Sequence, residues 1–263
     1  MFTRYSLLVT RYWRVACAHG RSVLCSTTTA LSRRCEGTEC VSEPNLLAEW
    51  EDWAALARRA LSPGPEVPHD QLLLIRDLSG GFVRQFEPPA DVVARLGAVL
   101  ILLYPDGADL RLPLTVRSDQ LPSHRGEVSL PGGATDPEDD GPAATALREC
   151  QEELGVDPGS IAVWGMLTPI YIRPSNFRIT PVVGFSAAPP ALQLNGDEVS
   201  AVITVTLQEL LEPSNVAVEQ WRLRGIDVRV PFFVIAGYKV WGATALILSE
   251  FVARMRRALK TGE

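Results

Sequence analysis

Three glutamates lie within a span of five residues, directly after an arginine: Glu149, Glu152 and Glu153. If this stretch is helical, at about 100° per residue, the three carboxylates gather on one side of the helix and an apolar stripe forms on the other. The stripe consists of Ala143, Leu147, Cys150 and Leu154. Neighbouring carboxylates repel one another and weaken a helix unless a cation compensates them. Because Mg²⁺ prefers oxygen ligands and leaves positions for phosphate oxygens, the cluster indicates either a seat for Mg²⁺ bound to a diphosphate or an ordinary solvated helix face.

The residues around the cluster predict where the helix begins and ends. Pro142 suits the first turn, and Gly155 can end the helix in a left-handed conformation. Gly132 and Gly133 precede the helix, and they allow the backbone to turn tightly and to approach the helix and its ions. A glycine-rich loop facing a row of carboxylates favours the metal site over the solvated face.

The stretch from Gly133 to Val156 resembles the box of the Nudix hydrolase superfamily. That box reads Gly, five residues, Glu, seven residues, Arg-Glu-U-x-Glu-Glu-x-Gly-U, where U is apolar. In this chain the early acidic residue is Asp139, and eight residues rather than seven separate it from Arg148. Both departures are similar to the coenzyme A diphosphatase branch of the superfamily.

A second segment resembles the signature of the same branch, Leu-Leu-Thr-x-Arg-Ser followed by Gly-x-x-x-Phe-Pro-Gly-Gly. Here Pro113 replaces the first Leu, Leu130 replaces Phe, and Pro122 stands where an Arg is often found. The resemblance implies substrate contacts at Arg117, Ser118, Gly132 and Gly133, and the nearby Arg125 could supply the positive charge of the missing Arg. Arginine pairs bidentately with phosphate oxygens, although either arginine could also be an ordinary surface residue.

The resemblance also implies roles for the box residues. Glu149 and Glu153 would be the principal ligands of Mg²⁺ or Mn²⁺, and Arg148 would orient the box carboxylates. Glu152 would complete the metal site or take a proton from the attacking water. Asp139 would brace the loop before the helix.

Two later segments contain a further candidate for the base and further candidates for substrate contacts. Glu198 is a second candidate for the base, since Nudix enzymes often take an extra acidic residue from a later loop; the alternative is a solvated carboxylate in a turn. Tyr171, Asn176 and Phe177 lie in a loop that could cover the adenine or the pantetheine, or could serve only for packing.

Three functions fit these motifs. The first is a diphosphatase that splits coenzyme A or acyl-CoA into 3′,5′-ADP and (acyl-)4′-phosphopantetheine. The second is a Nudix hydrolase of another nucleoside diphosphate derivative, such as a nucleotide sugar or a dinucleotide. The third is a catalytically silent Nudix domain that only binds. The presence of all box carboxylates argues against the third.

Charge is distributed unevenly along the chain. The formal net charge is −6, but residues 1–34 contain six arginines and no acidic residue, so residues 35–263 carry −12. An acidic body is a poor match for a polyphosphate backbone, which argues for a small-molecule substrate and against nucleic acid. The basic N-terminal segment, rich in Ser and Thr, is typical of a mitochondrial transit peptide and predicts location in the matrix; a basic tail without targeting function is the alternative.

Cysteine usage and hydropathy argue against a disulfide-rich, a zinc-binding or a membrane-spanning protein. Four of the five cysteines lie within residues 1–40, and only Cys150 lies in the body, which argues against a disulfide framework and against a zinc site. No stretch approaches the ~18 consecutive apolar residues of a membrane-spanning helix. Nothing in the sequence distinguishes a monomer from a homodimer.

The pattern of apolar runs predicts an α/β protein, and the resemblance implies the Nudix α/β/α sandwich with a mixed central sheet. We expect a transit peptide over residues 1–40, an amphipathic helix and a linker over 41–92, the Nudix domain over 93–258, and a tail over 259–263. The amphipathic helix is predicted over residues 46–61. The predicted strands are Ala98–Tyr104, Leu112–Val116, Val128–Leu130, Ala162–Leu167, Ile179–Phe185, Ser200–Thr206 and Val228–Ile235, and the closing helix spans Ala243–Leu259.

Overall fold

The structure is a computed structural model that describes residues 47–118 and 127–261. The predicted transit peptide and the predicted substrate contact Arg125 lie outside the described residues, so both stay predictions. Four α-helices form in the described part of the chain: α1 Trp50–Ala60, α2 Gly141–Leu154, α3 Leu207–Leu211 and α4 Gly242–Lys260. None of these helices combines the length and the apolar content needed to cross a membrane.

Twelve strands accompany the helices in the described part. They are β1 Arg76–Asp77, β2 Arg95–Asp106, β3 Asp109–Arg117, β4 Val128–Ser129, β5 Gly132–Ala134, β6 Ile161–Met166, β7 Ile170–Ile172, β8 Phe177–Ser186, β9 Val199–Thr206, β10 Val216–Leu223, β11 Ile226–Ile235 and β12 Tyr238–Val240. The central sheet has the order β4-β3-β2-β8-β6, with β5 paired to β2, β7 to β8 and β9 to β3. Because β2 and β8 are parallel while the other pairs are antiparallel, the sheet is mixed, as predicted. A smaller sheet contains β1, β11, β10 and β12.

Strand β2 lies at the centre because its middle is apolar on both faces. The run Leu100–Leu103 is fully buried, which fits a strand covered by helices on both sides. Leu100 and Leu102 pack with Cys150 and Leu154 of α2. On the other face, Ile101 and Leu103 belong to the larger core that contains Trp53 of α1 and Phe251 of α4. Helices on both faces of a mixed sheet confirm the predicted α/β/α sandwich.

Helix α2 ends where the sequence predicts. Gly155 has a φ of 68°, and its N–H donates to the Gln151 carbonyl at 2.8 Å. A Cβ at Gly155 would lie 2.8 Å from the Cβ of Gln193, so both the backbone conformation and the close approach require glycine. At the other end of the helix, Pro142 occupies the first turn.

Several boundaries differ from the prediction. The first helix begins at Trp50, and α4 continues to Lys260. Strand β10, the short strands β1, β5, β7 and β12 and helix α3 have no counterpart in the sequence prediction, and β1 lies within the predicted linker. Strand β10 alternates half-buried and exposed residues and carries Glu219, Gln220 and Arg222 at the edge of the smaller sheet, where a strong apolar pattern is not needed.

Candidate active site

Arg148 forms ion pairs with three carboxylates of the candidate site, those of Asp139, Glu149 and Glu152. Its Nε and Nη2 donate to the two carboxylate oxygens of Asp139 at 3.1 and 3.0 Å, and Nη2 also donates to the Ala134 carbonyl at 2.8 Å. Its Nη1 donates to Glu149 at 3.1 Å and to Glu152 at 3.2 Å. Arg148 therefore ties three carboxylates of α2 and its preceding loop to strand β5, and it holds the pKa of Asp139 well below its usual range.

Glu153 is the most deeply buried of the three box glutamates. The residue is only 5% exposed, and among the described residues its Oε2 atom has no hydrogen-bond partner. The pKa of Glu153 is raised to about 8: burial is the largest cause and the carboxylates of Glu149 and Glu198 add to it, while the charge of Arg117 and a backbone hydrogen bond from Gly132 act in the opposite direction. A buried carboxylate with an unpaired oxygen is costly unless a cation or a proton compensates it.

Glu149 lies beside Glu153 and against the glycine pair. Burial raises the pKa of Glu149 as well, although Arg148 opposes that shift. A Cβ at Gly133 would clash with the Glu149 carboxylate, and a Cβ at Gly132 would lie within 2.6 Å of the Val99 backbone. Glycine at both positions therefore lets strand β5 fit between β2 and the acidic face of α2.

Glu152 differs from the other two box glutamates. Its side chain is 53% exposed and forms an ion pair with Arg148, so it faces solvent at the rim of the site. Its charge still raises the pKa of Glu149. The structure thus brings the half-buried Glu149 and the buried Glu153 together and leaves Glu152 outside this pair.

Arg117 reaches the site from the end of strand β3. The register of β3 against β9 shifts between Val116 and Arg117, and such a bulge changes the direction in which a side chain points. The Nε of Arg117 is buried and has no hydrogen-bond partner among the described residues. An arginine whose charge acts on Glu153 and whose Nε has no partner can bind an anionic group.

The loop after β8 places Glu198 near the carboxylate pair. The N–H of Asn195 donates to the Glu153 carbonyl at 3.1 Å, and that of Gln193 donates to the Leu154 carbonyl at 2.8 Å. The N–H of Ser118 donates to the Glu198 carbonyl at 2.9 Å. The loop is therefore held against the end of α2 and against β3, which explains why the exposed Glu198 raises the pKa of both Glu149 and Glu153. Sequence reasoning did not single out Asn195 or Gln193, since their contribution is made by backbone atoms.

Of the three residues predicted to lie in a loop, only Asn176 lies in the turn between β7 and β8, because Tyr171 belongs to β7 and Phe177 begins β8. The Tyr171 hydroxyl donates to Asn176 at 3.1 Å, and the guanidinium of Arg95 lies 4.3 Å from the ring centroid of Phe177. Tyr171 is buried and Asn176 adopts a positive φ of 55°. These contacts correspond to the packing interpretation of the loop.

The carboxylate pair fits a divalent cation. No group of three or more His, Cys, Asp or Glu side chains with metal-binding geometry occurs in the part of the chain that the structure describes. Mg²⁺, however, commonly takes one or two protein carboxylates and completes its shell with water and phosphate oxygens. The unpaired oxygen of Glu153, with Glu149 beside it, matches that requirement, and a cation would compensate the charge of the buried Glu153.

Comparison with known proteins identifies the family. The model of the NUDIX domain matches residues 94–223. The human mitochondrial coenzyme A diphosphatase NUDT8 is 36% identical over 185 residues, which cover 68% of this chain and 75% of that protein. The mouse peroxisomal coenzyme A diphosphatase NUDT7 is 45% identical over 116 residues, or 44% of this chain and 49% of that protein. Nudix hydrolase 3 of Caenorhabditis elegans is 36% identical over 57% of this chain and 62% of its own length, so this chain spans less than two thirds of the latter two relatives. The chain therefore belongs to the Nudix hydrolase family, hydrolases that act on phosphoric anhydrides, as the box motif predicts.

Proposed function

We propose that this protein hydrolyses the diphosphate of coenzyme A or of acyl-CoA to 3′,5′-ADP and (acyl-)4′-phosphopantetheine. The observation that carries the proposal is the position of Arg117. This residue belongs to the Thr-Val-Arg-Ser segment that resembles the coenzyme A diphosphatase signature, and its charge acts on the buried Glu153 of the Nudix box. The names of the human and mouse relatives support the same substrate.

Glu149 and Glu153 would hold Mg²⁺ or Mn²⁺. A divalent cation, when bound, neutralises a diphosphate and lowers the pKa of an attacking water. Arg148 keeps the Glu149 carboxylate in place through its bond at 3.1 Å. Arg117, with its unpaired Nε, binds a phosphate oxygen of the substrate, while Gly132 and Gly133 let β5 lie close to β2 and to the Glu149 carboxylate.

Glu198 is the better candidate for the group that takes the proton of the water. Its carboxylate is exposed and raises the pKa of both Glu149 and Glu153, whereas Glu152 accepts a hydrogen bond from Arg148. The water oxygen forms a bond to one phosphorus, the bridging oxygen leaves with the electron pair of the broken bond, and the proton passes to Glu198.

A substrate panel tests the proposal. The purified protein with Mg²⁺ is incubated with CoA, NADH, ADP-ribose and dinucleoside polyphosphates, and the products are identified by mass. We expect 3′,5′-ADP and 4′-phosphopantetheine from CoA. Cleavage of another compound with CoA left intact would assign the protein to a different Nudix substrate.

We further propose that residues 1–40 direct the protein to the mitochondrial matrix, because residues 1–34 combine six arginines with no acidic residue. The human relative is named as mitochondrial and the mouse relative as peroxisomal, so the relatives do not decide the compartment. A fluorescent protein fused behind residues 1–45 should enter mitochondria, and a cytosolic signal would refute the assignment.

A further inference from the structure

Thr145 is a fully buried polar residue of α2 whose hydroxyl has no part in the proposed reaction. It precedes Arg148 by three residues and Glu149 by four, so at helical spacing it lies on the same side of α2 as these two residues, one turn earlier. The apolar side of the helix, with Cys150 and Leu154, packs against β2 instead. Since a buried hydroxyl is costly without hydrogen bonds, its partners indicate its role.

The Thr145 hydroxyl connects α2 to the end of β5. It donates to the Thr135 hydroxyl at 3.2 Å, and its oxygen lies 3.4 Å from the Gly141 carbonyl oxygen. Thr135 directly follows β5, and its N–H donates to the Leu96 carbonyl of β2 at 3.0 Å. The hydroxyl therefore fastens the N-terminal half of α2 to the central sheet.

The same hydroxyl acts on Asp139 in the loop before the helix. The Asp139 side chain is only 6% exposed, although Asp136 and Asp140 beside it are exposed. Hydrogen bonds from Arg148, from the backbone N–H of Asp136 and from Thr145 all lower the pKa of Asp139. Thr145 is the fully buried member of these three partners, so it gives an exposed loop a fixed point at which to hold its carboxylate.

Asp139 in turn determines where the guanidinium of Arg148 lies. Arg148 donates to both oxygens of Asp139 through Nε and Nη2, while its Nη1 donates to Glu149 and to the exposed Glu152. An Asp139 carboxylate that moved outward with its loop would draw the guanidinium away from Glu149. Loss of a partner behind a metal ligand commonly weakens metal binding about tenfold to 100-fold, even though that partner never touches the ion.

We propose that Thr145 is a positioning residue of the site: its hydroxyl fixes the Asp139 carboxylate, which orients Arg148 and, through Arg148, Glu149. The inference rests on the proposed function, since it takes Glu149 to be a metal ligand. Thr145 itself contacts neither the cation nor the substrate and acts only through Asp139 and Arg148.

Binding of Mn²⁺ without substrate, followed by electron paramagnetic resonance, tests the role of the hydroxyl. Thr145→Val removes the hydroxyl and keeps the shape of the side chain, so the affinity should fall about tenfold, whereas Thr145→Ser keeps the hydroxyl and should keep the wild-type affinity. Thr244→Val is the matched control, because Thr244 is a buried threonine of α4 that donates to the Val128 carbonyl at 3.1 Å. This control should bind Mn²⁺ like the wild type, although it also loses a buried hydrogen bond. Wild-type affinity in Thr145→Val, or an equal loss in Thr145→Ser, would overturn the proposal.

A double-mutant cycle tests the route through Arg148. In Arg148→Met there is no guanidinium left to orient, so adding Thr145→Val should weaken Mn²⁺ binding by less than about twofold further. Losses that multiply in the double variant would mean that Thr145 does not act through Arg148, and the proposal would fail.

The variant Glu149→Gln separates this inference from the proposed function. If Glu149→Gln binds Mn²⁺ weakly while Thr145→Val binds it normally, the positioning role fails and the metal assignment stands. If Glu149→Gln binds as tightly as the wild type, Glu149 is no ligand, and the metal assignment fails together with the inference. Should Thr145→Val not fold, Thr145→Ala takes its place with the same expected loss.

Discussion

Two buried glutamates on helices that flank the sheet show opposite environments. Glu153 on α2 and Glu250 on α4 are each 5% exposed. The Oε1 atom of Glu250 accepts three hydrogen bonds, two from Thr168 and one from Arg254, so neighbouring groups of the protein compensate its charge. Glu153 has an oxygen without a partner, and two further carboxylates act on it. A buried charge with its partner is tolerated by the structure and is costly to unpair, whereas one that lacks such a partner marks a place where a cation is expected.

The largest effect is expected at the uncompensated glutamate. Glu153→Gln keeps the shape of the side chain but removes the charge that would hold a metal ion, so kcat should fall at least about 1000-fold, which corresponds to several kcal/mol of barrier. Circular dichroism and thermal unfolding should show an intact fold. Near wild-type turnover in this variant would remove Glu153 from the metal site.

The next effect distinguishes the two candidates for the base. Glu198→Gln should lower kcat by roughly 100-fold, the usual contribution of a general base. Glu152→Gln should lower kcat much less, because Glu152 is exposed and bound to Arg148. Steady-state rates at saturating CoA decide between them. The reverse order of the two losses would assign the proton to Glu152.

A smaller effect is expected at the residue that positions Glu149. Arg148→Met removes the ion pairs with Asp139 and Glu149 but no proposed metal ligand, so kcat should fall about tenfold to 100-fold, as for other groups that orient a ligand. Added Mn²⁺ should recover part of the loss, since the ligands themselves remain. An equal loss in Arg148→Met and Glu153→Gln would argue that Arg148 touches the substrate.

Removing the cation beside the compensated glutamate, Glu250, should lower the stability of the protein and leave its turnover unchanged. Arg254→Met removes the ion pair at 2.8 Å from Glu250 and leaves that carboxylate buried without a cation, so the free energy of unfolding should fall by about 3 kcal/mol. Urea unfolding measures this loss, and kcat at saturating CoA should stay at the wild-type value. If Arg254→Met is stable but has a low kcat, Glu250 takes part in the reaction, and the contrast drawn between Glu250 and Glu153 is wrong.

The sequence predicts those features that depend on local pattern. The period of Cys150 and Leu154 and the glycine at 155 determine helix α2, and the continuous apolar run at Leu100–Leu103 determines the central strand. The family follows from the spacing of Arg148 and the glutamates. These signals are contained within about two turns of helix or one strand.

Features that depend on contacts distant in sequence were not predictable. Helical projection places Glu152 with Glu149 and Glu153, but the exposure of Glu152 is decided by where Arg148 and strand β5 lie. The approach of Glu198 to the pair depends on backbone bonds from Asn195 and Ser118. The segment before β2 reads as a polar linker, yet its Arg84 and His69 form a cavity wall because β7 and α4 cover it.

Binding of Mn²⁺, followed by electron paramagnetic resonance, tests the central claim most directly, since it measures the ion without requiring turnover. The wild type and Arg254→Met should bind Mn²⁺ with equal affinity, and Glu153→Gln and Glu149→Gln should each bind at least about tenfold more weakly. Equal affinity in all four proteins would contradict the assignment of Glu149 and Glu153 as the metal site.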